Sequence, residues 1–264
     1  MSQIASVFSP GHKALIAYVT AGYPDAAATQ RICAVLAESG CDIIELGIPF
    51  SDPLADGATI QKASHLALEG GITPAKCLEI AAGLRRKIAT PLVFMTYYNP
   101  VLSFGLEAFC QGCNETGVDG LIVPDLPPEE GLDLEEASRR HGLDLIYLLA
   151  PTSTPGRIAT VAQRSSGFIY LVSIAGVTGA RQTLPPELED FVARVRQQAR
   201  QPLCVGFGIS TSEQAGRVAR IADGVIVGSR LIQLVEADPG LTALKDFTLS
   251  LRKALDLTNN RRED

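Results

Sequence analysis

No stretch of about 18 apolar residues runs without a charge or a break, so the sequence offers no candidate for a membrane-spanning helix. The N-terminus, MSQIASVFSPGHK, lacks a basic segment followed by an apolar one and does not read as a secretory signal. Basic clusters are scarce. The longest, Arg85-Arg86-Lys87, lies on a helical pattern, and the net charge is −6, which argues against nucleic-acid binding. There are three histidines. His12 and His65 have no partner at metal-ligand spacing, and His141 reads as a helix-end residue. The six cysteines, Cys33, Cys41, Cys77, Cys110, Cys113 and Cys204, sit mostly within apolar patterns and lack paired spacing. Cys110-Gln-Gly-Cys113 is formally a CxxC, but it lies on a helical pattern with no second pair and no nearby histidine. Reduced thiols in a cytoplasmic protein without a metal are the expectation. No lysine falls late in an apolar run and no serine elbow is present, so Schiff-base and other covalent chemistry lack an obvious residue.

What is present is an ordinary globular composition, 46% hydrophobic and 20% charged over 264 residues. That length fits two average domains or one α/β barrel of about 250 residues. Eight short apolar runs recur: Leu15–Val19, Ile43–Leu46, Leu92–Met95, Leu121–Val123, Leu145–Leu149, Phe168–Val172, Leu203–Phe207 and Val225–Val227. They are nearly continuous rather than alternating, as expected of parallel strands covered on both faces. Helical patterns lie between them, over 26–39, 73–88, 104–116, 128–140, 154–164, 187–200 and 212–221, with a turn at Ala237–Gly240 before a last amphipathic helix. Thr-Pro opens two of these helices. The tail from Asn259 to Asp264 is polar and expected to fray. Eight β-then-α units predict a single (β/α)8 TIM barrel with extra helices, one domain over residues 1–264. A doubly wound open sheet is the alternative, but the turn after its first strand would carry GxGxxG, and here it reads TAGYPD.

In a barrel, the C-terminal strand ends and the loops after them form the active face. Ile43 to Gly57, IIELGIPFSDPLADG, places Glu45 near the end of the second strand and Asp56 in the loop that follows. A carboxylate at such a strand end costs free energy unless it is paired or used. Two of them on one unit suggest proton chemistry on a bound substrate. An ion pair in the barrel mouth would also explain Glu45, and an N-cap would explain Asp56. Asp52 competes with Asp56, and spacing does not choose between them. Glycine supplies a second constellation, in 174–181, in Gly206-Phe-Gly-Ile-Ser210 and in Gly228-Ser229. Glycines let backbone N–H groups approach an anion, and Ser229 opens a helix whose N-terminus favours negative charge. A phosphate-bearing small molecule is the predicted ligand. Tyr18, Tyr97 and Tyr170 fall at or near strand ends, where they would suit a flat apolar group. The residues alone reach a phosphate-binding barrel with carboxylate acid–base chemistry, and a sugar-phosphate isomerase or epimerase remains open.

ELGIPFSDPLADG, IVPDLPPEE, YLVSIAGVTGAR and GFGIS closely resemble the tryptophan synthase alpha-chain family, and the resemblance spans the barrel from about Ala14 to Gln233. It implies a lyase that cleaves indole-3-glycerol phosphate to indole and glyceraldehyde 3-phosphate. Glu45 then corresponds to the general acid/base and Asp56, rather than Asp52, to the second catalytic carboxylate. Gly179, Gly208, Gly228 and Ser229 resemble phosphate contacts. Tyr170 resembles a tyrosine near Glu45, Tyr18, Ile60 and Tyr97 resemble the indole pocket, and Thr178 resembles the residue that bonds the aspartate when the loops close. The resemblance further implies a beta chain in an α2β2 heterotetramer, met by a surface containing Pro49, Asp52, Asn99 and Pro127. Pyridoxal phosphate is then expected in that beta chain alone, with no cofactor in this one. A subunit whose main work is activating its partner is the other reading of the same resemblance.

Overall fold

The computed structural model describes residues 2–172, 187–206 and 208–259. Among them, nine parallel strands form one sheet. β1 (Ala14–Thr20), β2 (Ile43–Gly47), β3 (Leu92–Met95), β4 (Gly120–Ile122) and β5 (Asp144–Ile146) run outward on one side of β1. β9 (Gly224–Val227), β8 (Leu203–Gly206), β7 (Ile169–Val172) and β6 (Leu148–Leu149) run outward on the other. The two ends of this order, β5 and β6, are separated in the chain by Tyr147 alone. One course of backbone therefore pairs with β4 on one side and with β7 on the other, and the sheet closes into a (β/α)8 barrel. The expected single run Leu145–Leu149 is this split strand.

The apolar runs hide a period of two, because successive side chains point to opposite faces of a strand. Ala14, Ile16, Ile43, Val93, Ile122, Ile146, Phe168, Cys204 and Ile226 fill the barrel interior. The residues between them, such as Leu15, Ile44, Phe94, Leu121, Leu171, Val205 and Val225, face the surrounding helices. Both sets are buried, which is why no alternation of polarity shows in the sequence.

The ring of helices includes α2 (Ala26–Glu38), α3 (Ala58–Glu69), α4 (Pro74–Arg85), α5 (Tyr98–Phe104), α6 (Leu106–Glu115) and α7 (Leu132–Arg140). α8 (Pro155–Arg164), α9 (Leu188–Arg196), α10 (Ser212–Ile221), α11 (Ser229–Ala237) and α12 (Thr242–Asn259) follow. The helix expected over 104–116 is divided: Gly105, at φ +94, ends α5 and starts α6. The long gap after β2 holds two helices, α3 and α4, rather than one. The helix expected over 187–200 stops at Arg196. Residues 260–264 of the tail lie outside the described residues. No described helix is long and apolar enough to cross a membrane.

The lower end of the barrel, at the strand N-termini, is fastened by one repeated device. The N–H of Leu15 donates to the Asp42 carboxylate at 2.7 Å, that of Leu92 to Asp119 at 2.8 Å and that of Leu203 to Asp223 at 2.8 Å. Each aspartate stands just before the next strand, and its own N–H donates back to the same leucine's carbonyl. Arg252, Arg85 and Arg196 respectively accompany the three carboxylates. The register of neighbouring strands is thus fixed at its starting edge. A short helix, α1 (Gln3–Val7), stoppers this end, with Ile4 fully buried against the interior side chains. Glycines at 120 and 167 make room for it, since a Cβ on Gly120 would lie 2.7 Å from Ile4 Cδ1. Replacing Ile4 by Ala opens a cavity beneath the barrel and is expected to lower unfolding stability by about 2–5 kcal/mol. Urea unfolding checks this as a lower midpoint at unchanged slope.

Candidate active site

Alternation along β2 turns Ile43, Glu45 and Gly47 inward. Glu45 pairs in register with Tyr18 on β1 and Val93 on β3. Its side chain is 0% exposed, and neither carboxyl oxygen has a hydrogen-bond partner among the described residues. Burial pushes the carboxyl from its ordinary value up to about 8. Among the described residues no ion pair accounts for this acid, which weakens the simplest alternative to a chemical role.

Asp56 lies in the loop between β2 and α3. Its N–H donates to the Pro53 carbonyl at 3.0 Å, and its own carbonyl accepts from Gln61 Nε2 at 2.9 Å. The N-cap of α3 is Gly57, and no side chain caps that helix, so Asp56 is not spent on capping. Burial raises its carboxyl to about 6, and the nearby Tyr97 hydroxyl opposes that rise. Asp52 is exposed and accepts from the Ser51 hydroxyl. The charges of Glu45 and Asp56 both push up the phenols of Tyr18 and Tyr170, after the larger effect of burial. The two acids and two tyrosines therefore share one enclosure, reached from β1, β2, β7 and the loop after β2.

Two glycines shape that enclosure. A Cβ on Gly47 would stand 2.1 Å from the Tyr18 hydroxyl, and one on Gly206 would stand 2.5 Å from the Tyr170 hydroxyl. Gly206, grouped by sequence with the anion-binding glycines, thus serves to admit a tyrosine. Gly47, which the sequence offers only as a flexible start to the loop after β2, serves in the same way. Its signal was its place two residues beyond Glu45 on the inward face.

The remaining expected residues lie as follows. Tyr97 is 6% exposed, caps the start of α5, and its hydroxyl accepts from the Ala55 N–H at 2.9 Å. Ile60 is half-buried on α3 and packs against the core. Gly208, after β8, is exposed and adopts φ +63, a conformation that L side chains rarely hold. The Gln214 side-chain oxygen orders this stretch by accepting from Ser210 N, Ser210 Oγ and Thr211 N. Gly228 backs onto Tyr18 and caps α11, which Ser229 opens; as a glycine it brings no side-chain cap to that helix. Unpaired N–H groups at a helix start suit an anion. Thr178 and Gly179 lie outside the described residues. Among the partner-facing candidates, Asp52 and Asn99 are exposed, Pro127 is half-buried and Pro49 is buried. Cys110 and Cys113 are buried on α6, and no group of three or more potential metal ligands occurs among the described residues.

The raised Glu45 carboxyl has a consequence for stability. Below about 4.5 it is protonated in both folded and unfolded chains. Above that the unfolded chain ionises first, so native stability falls as pH rises, until the folded group ionises near 8. At about 1.4 kcal/mol per pKa unit the loss reaches several kcal/mol. Urea midpoints between pH 5 and 8 are expected to carry this component in the wild type and to lack it in Glu45→Gln.

A family model described as tryptophan synthase alpha chain matches residues 4–257. A tryptophan synthase alpha chain of Dehalococcoides mccartyi is 58% identical over 256 residues, covering 97% of this chain and 100% of the relative. That of Chloroflexus aurantiacus is 51% identical, covering 90% and 92%. Among solved structures, a chain of Mycobacterium tuberculosis tryptophan synthase superposes with a TM-score of 0.90 at 40% identity, covering 96% of both chains. Tryptophan synthase subunit alpha from Legionella pneumophila also gives 0.90, at 38% identity, covering 97% and 99%.

Proposed function

The chain belongs to the tryptophan synthase alpha-chain family, and on that premise we propose that Glu45 and Asp56 are the two working carboxyl groups of its active site. The protein is a carbon–carbon lyase of tryptophan biosynthesis that cleaves indole-3-glycerol phosphate to indole and glyceraldehyde 3-phosphate. The observation that carries the residue assignment is the buried Glu45 carboxyl, without a hydrogen-bond partner among the described residues, beside the same tyrosines as a second acid of lower pKa.

The reaction breaks the bond between indole C3 and the side-chain carbon that bears a hydroxyl. Glu45, protonated below about 8, gives its proton to C3. The ring becomes an indolenine that can accept the electron pair of the breaking bond. The hydroxyl loses its proton to Glu45 as the aldehyde forms, and the acid is restored. Positive charge develops at the ring nitrogen, where Asp56, ionised above about 6, accepts the N–H and stabilises it. Tyr18, Ile60, Tyr97 and Tyr170 enclose the indole. The phosphate binds at Gly208, Gly228 and Ser229, together with Gly179. The resemblance assigns Thr178, which lies outside the described residues, as the partner of Asp56. Every step uses side chains, so this chain needs no cofactor of its own.

The partner is the beta chain, which supplies pyridoxal phosphate, in an α2β2 assembly. The loops after β2, β3 and β4 support this face. Leu54, beside Asp52, is 94% exposed, and Leu102 and Leu132 also stand in solvent near Asn99 and Pro127. Six free, buried thiols suit a reducing cytoplasm.

Incubating the chain with indole-3-glycerol phosphate and following indole by absorbance tests the activity, without and then with a beta chain. Glu45→Gln is expected to lower indole formation at least about 100-fold with substrate binding nearly intact; wild-type turnover would sink the assignment. Asp56→Asn is expected to remove most activity, and an unchanged rate would return Asp52 to consideration. In the wild type, kcat/KM is expected to peak between about 6 and 8, where Asp56 is ionised and Glu45 protonated.

A further inference from the structure

Gln214 does more in this structure than cap a helix. It is the third residue of α10, whose N-cap is Thr211. The Gln214 N–H donates to Thr211 Oγ1 at 3.2 Å, and the Gln214 side-chain oxygen accepts the Thr211 N–H at 3.3 Å. That reciprocal pair is a capping box, and on its own it would serve only the helix. The same oxygen reaches further. It accepts the Ser210 N–H at 2.8 Å and the Ser210 hydroxyl at 3.1 Å, and Ser210 stands outside the helix. The shortest of these three bonds to the oxygen is thus made to the loop and not to the cap. Gln214 is 6% exposed, and the helix that carries it is anchored by the buried Ala215, Val218 and Ala219. A side chain locked on a packed helix is a fixed post for whatever it bonds. Gly208 lies two residues before Ser210 and adopts φ +63; a Cβ there would meet nothing within 4 Å, so the space beside it is open. Ile209, between them, belongs to the core.

We propose that Gln214 is a positioning residue for the phosphate of the substrate: by holding Ser210 through its N–H and its hydroxyl, it sets the backbone at Gly208 in the conformation that receives the anion. This rests on the reading that the phosphate binds at Gly208, Gly228 and Ser229. The amide suits the task because it is a neutral acceptor. It satisfies the loop's donors without bringing negative charge toward a phosphate, whereas glutamate, the other residue used in capping boxes, would add that charge. The indole half of the substrate is held elsewhere, by Tyr18, Ile60, Tyr97 and Tyr170, so the role of Gln214 is confined to the phosphate half.

Gln214→Met keeps the length of the side chain and removes its amide oxygen. KM for indole-3-glycerol phosphate is expected to rise about 10-fold, with kcat changed by less than about twofold, as when binding is lost equally from ground state and transition state. The inhibition constant of inorganic phosphate should rise by a similar factor. Indole is the control ligand. The chain has no tryptophan, so indole binding can be followed by the ligand's own fluorescence, and its affinity should be unchanged. A phosphate affinity that stays put, or phosphate and indole affinities that fall together, overturns the proposal, because a merely structural role leaves both alone or harms both. If Gln214→Met does not fold, Gln214→Asn makes the same comparison, its amide being one methylene short of Ser210. Ser229→Asp judges the underlying reading separately, since negative charge at the start of α11 should abolish inhibition by phosphate. Undiminished inhibition there would remove the phosphate site and this proposal with it. Inhibition lost in Ser229→Asp but intact in Gln214→Met would defeat the role of Gln214 alone.

Discussion

A buried carboxyl group on a barrel strand, with no hydrogen-bond partner among the described residues, sets the terms for everything around it. Ionised Glu45 in that place would lack both water and a counter-charge, so burial keeps it protonated well above the ordinary carboxylate range. Such a group persists because the barrel gives it no escape. β2 is paired on both sides, its N-terminal neighbours are locked in register by the Leu15–Asp42 exchange, and apolar side chains fill the interior beneath it. The stopper helix at the opposite end completes this dry floor, with Ile4 fully enclosed. Stability elsewhere in the fold thus sustains a local arrangement that opposes stability, and it leaves a protonated acid suited to the proton transfer proposed for it.

The second acid is held differently. Asp56 sits on a loop rather than a strand, keeps part of its surface open, and is tied down through its backbone and through Tyr97. That contrast separates the two acids' ionisation, with one group near 8 and the other near 6. Around neutral pH the pair offers one proton and one negative charge, the two things the proposed mechanism asks of it.

Much of this was legible in the sequence. The eight apolar runs predicted the barrel because a parallel strand buried on both faces needs a continuous apolar stretch. The barrel rule then put Glu45 and Asp56 on the active face. What stayed illegible follows from the same physics. Since both faces are buried, polarity does not say which residues point inward, and so the roles of Gly47 and Gly206 as space for tyrosine hydroxyls became visible only in three dimensions. Gly105 divides the helix expected over 104–116 because its positive φ starts a new helix axis, and a lone glycine inside a helical pattern does not announce that. Short α1 has too few residues to show a period, although it closes the barrel floor. The choice of Asp56 over Asp52 needed the family resemblance. The structure adds a physical distinction, since Asp52 is exposed and bonded to its neighbour while Asp56 shares an enclosure with Glu45.

The loop after β2 carries Asp56 and the nearly fully exposed Leu54 two residues apart. A leucine left in water on a short, hydrogen-bonded loop is an unfavourable surface until something covers it. The few dihedrals that set where Leu54 points also set where Asp56 points, because the Pro53 carbonyl that accepts the Asp56 N–H adjoins Leu54 itself. Tyr97 grips this same turn from β3, and the N–H of Tyr98 next to it donates to Asp125 in the loop after β4 at 2.9 Å. Three successive loops are therefore joined by hydrogen bonds from backbone N–H groups to side-chain oxygens beside the second acid. The interior acid is insulated from events at the surface by its strand. The loop acid is not, so any contact that covers this face acts first on the carboxylate that must stay ionised.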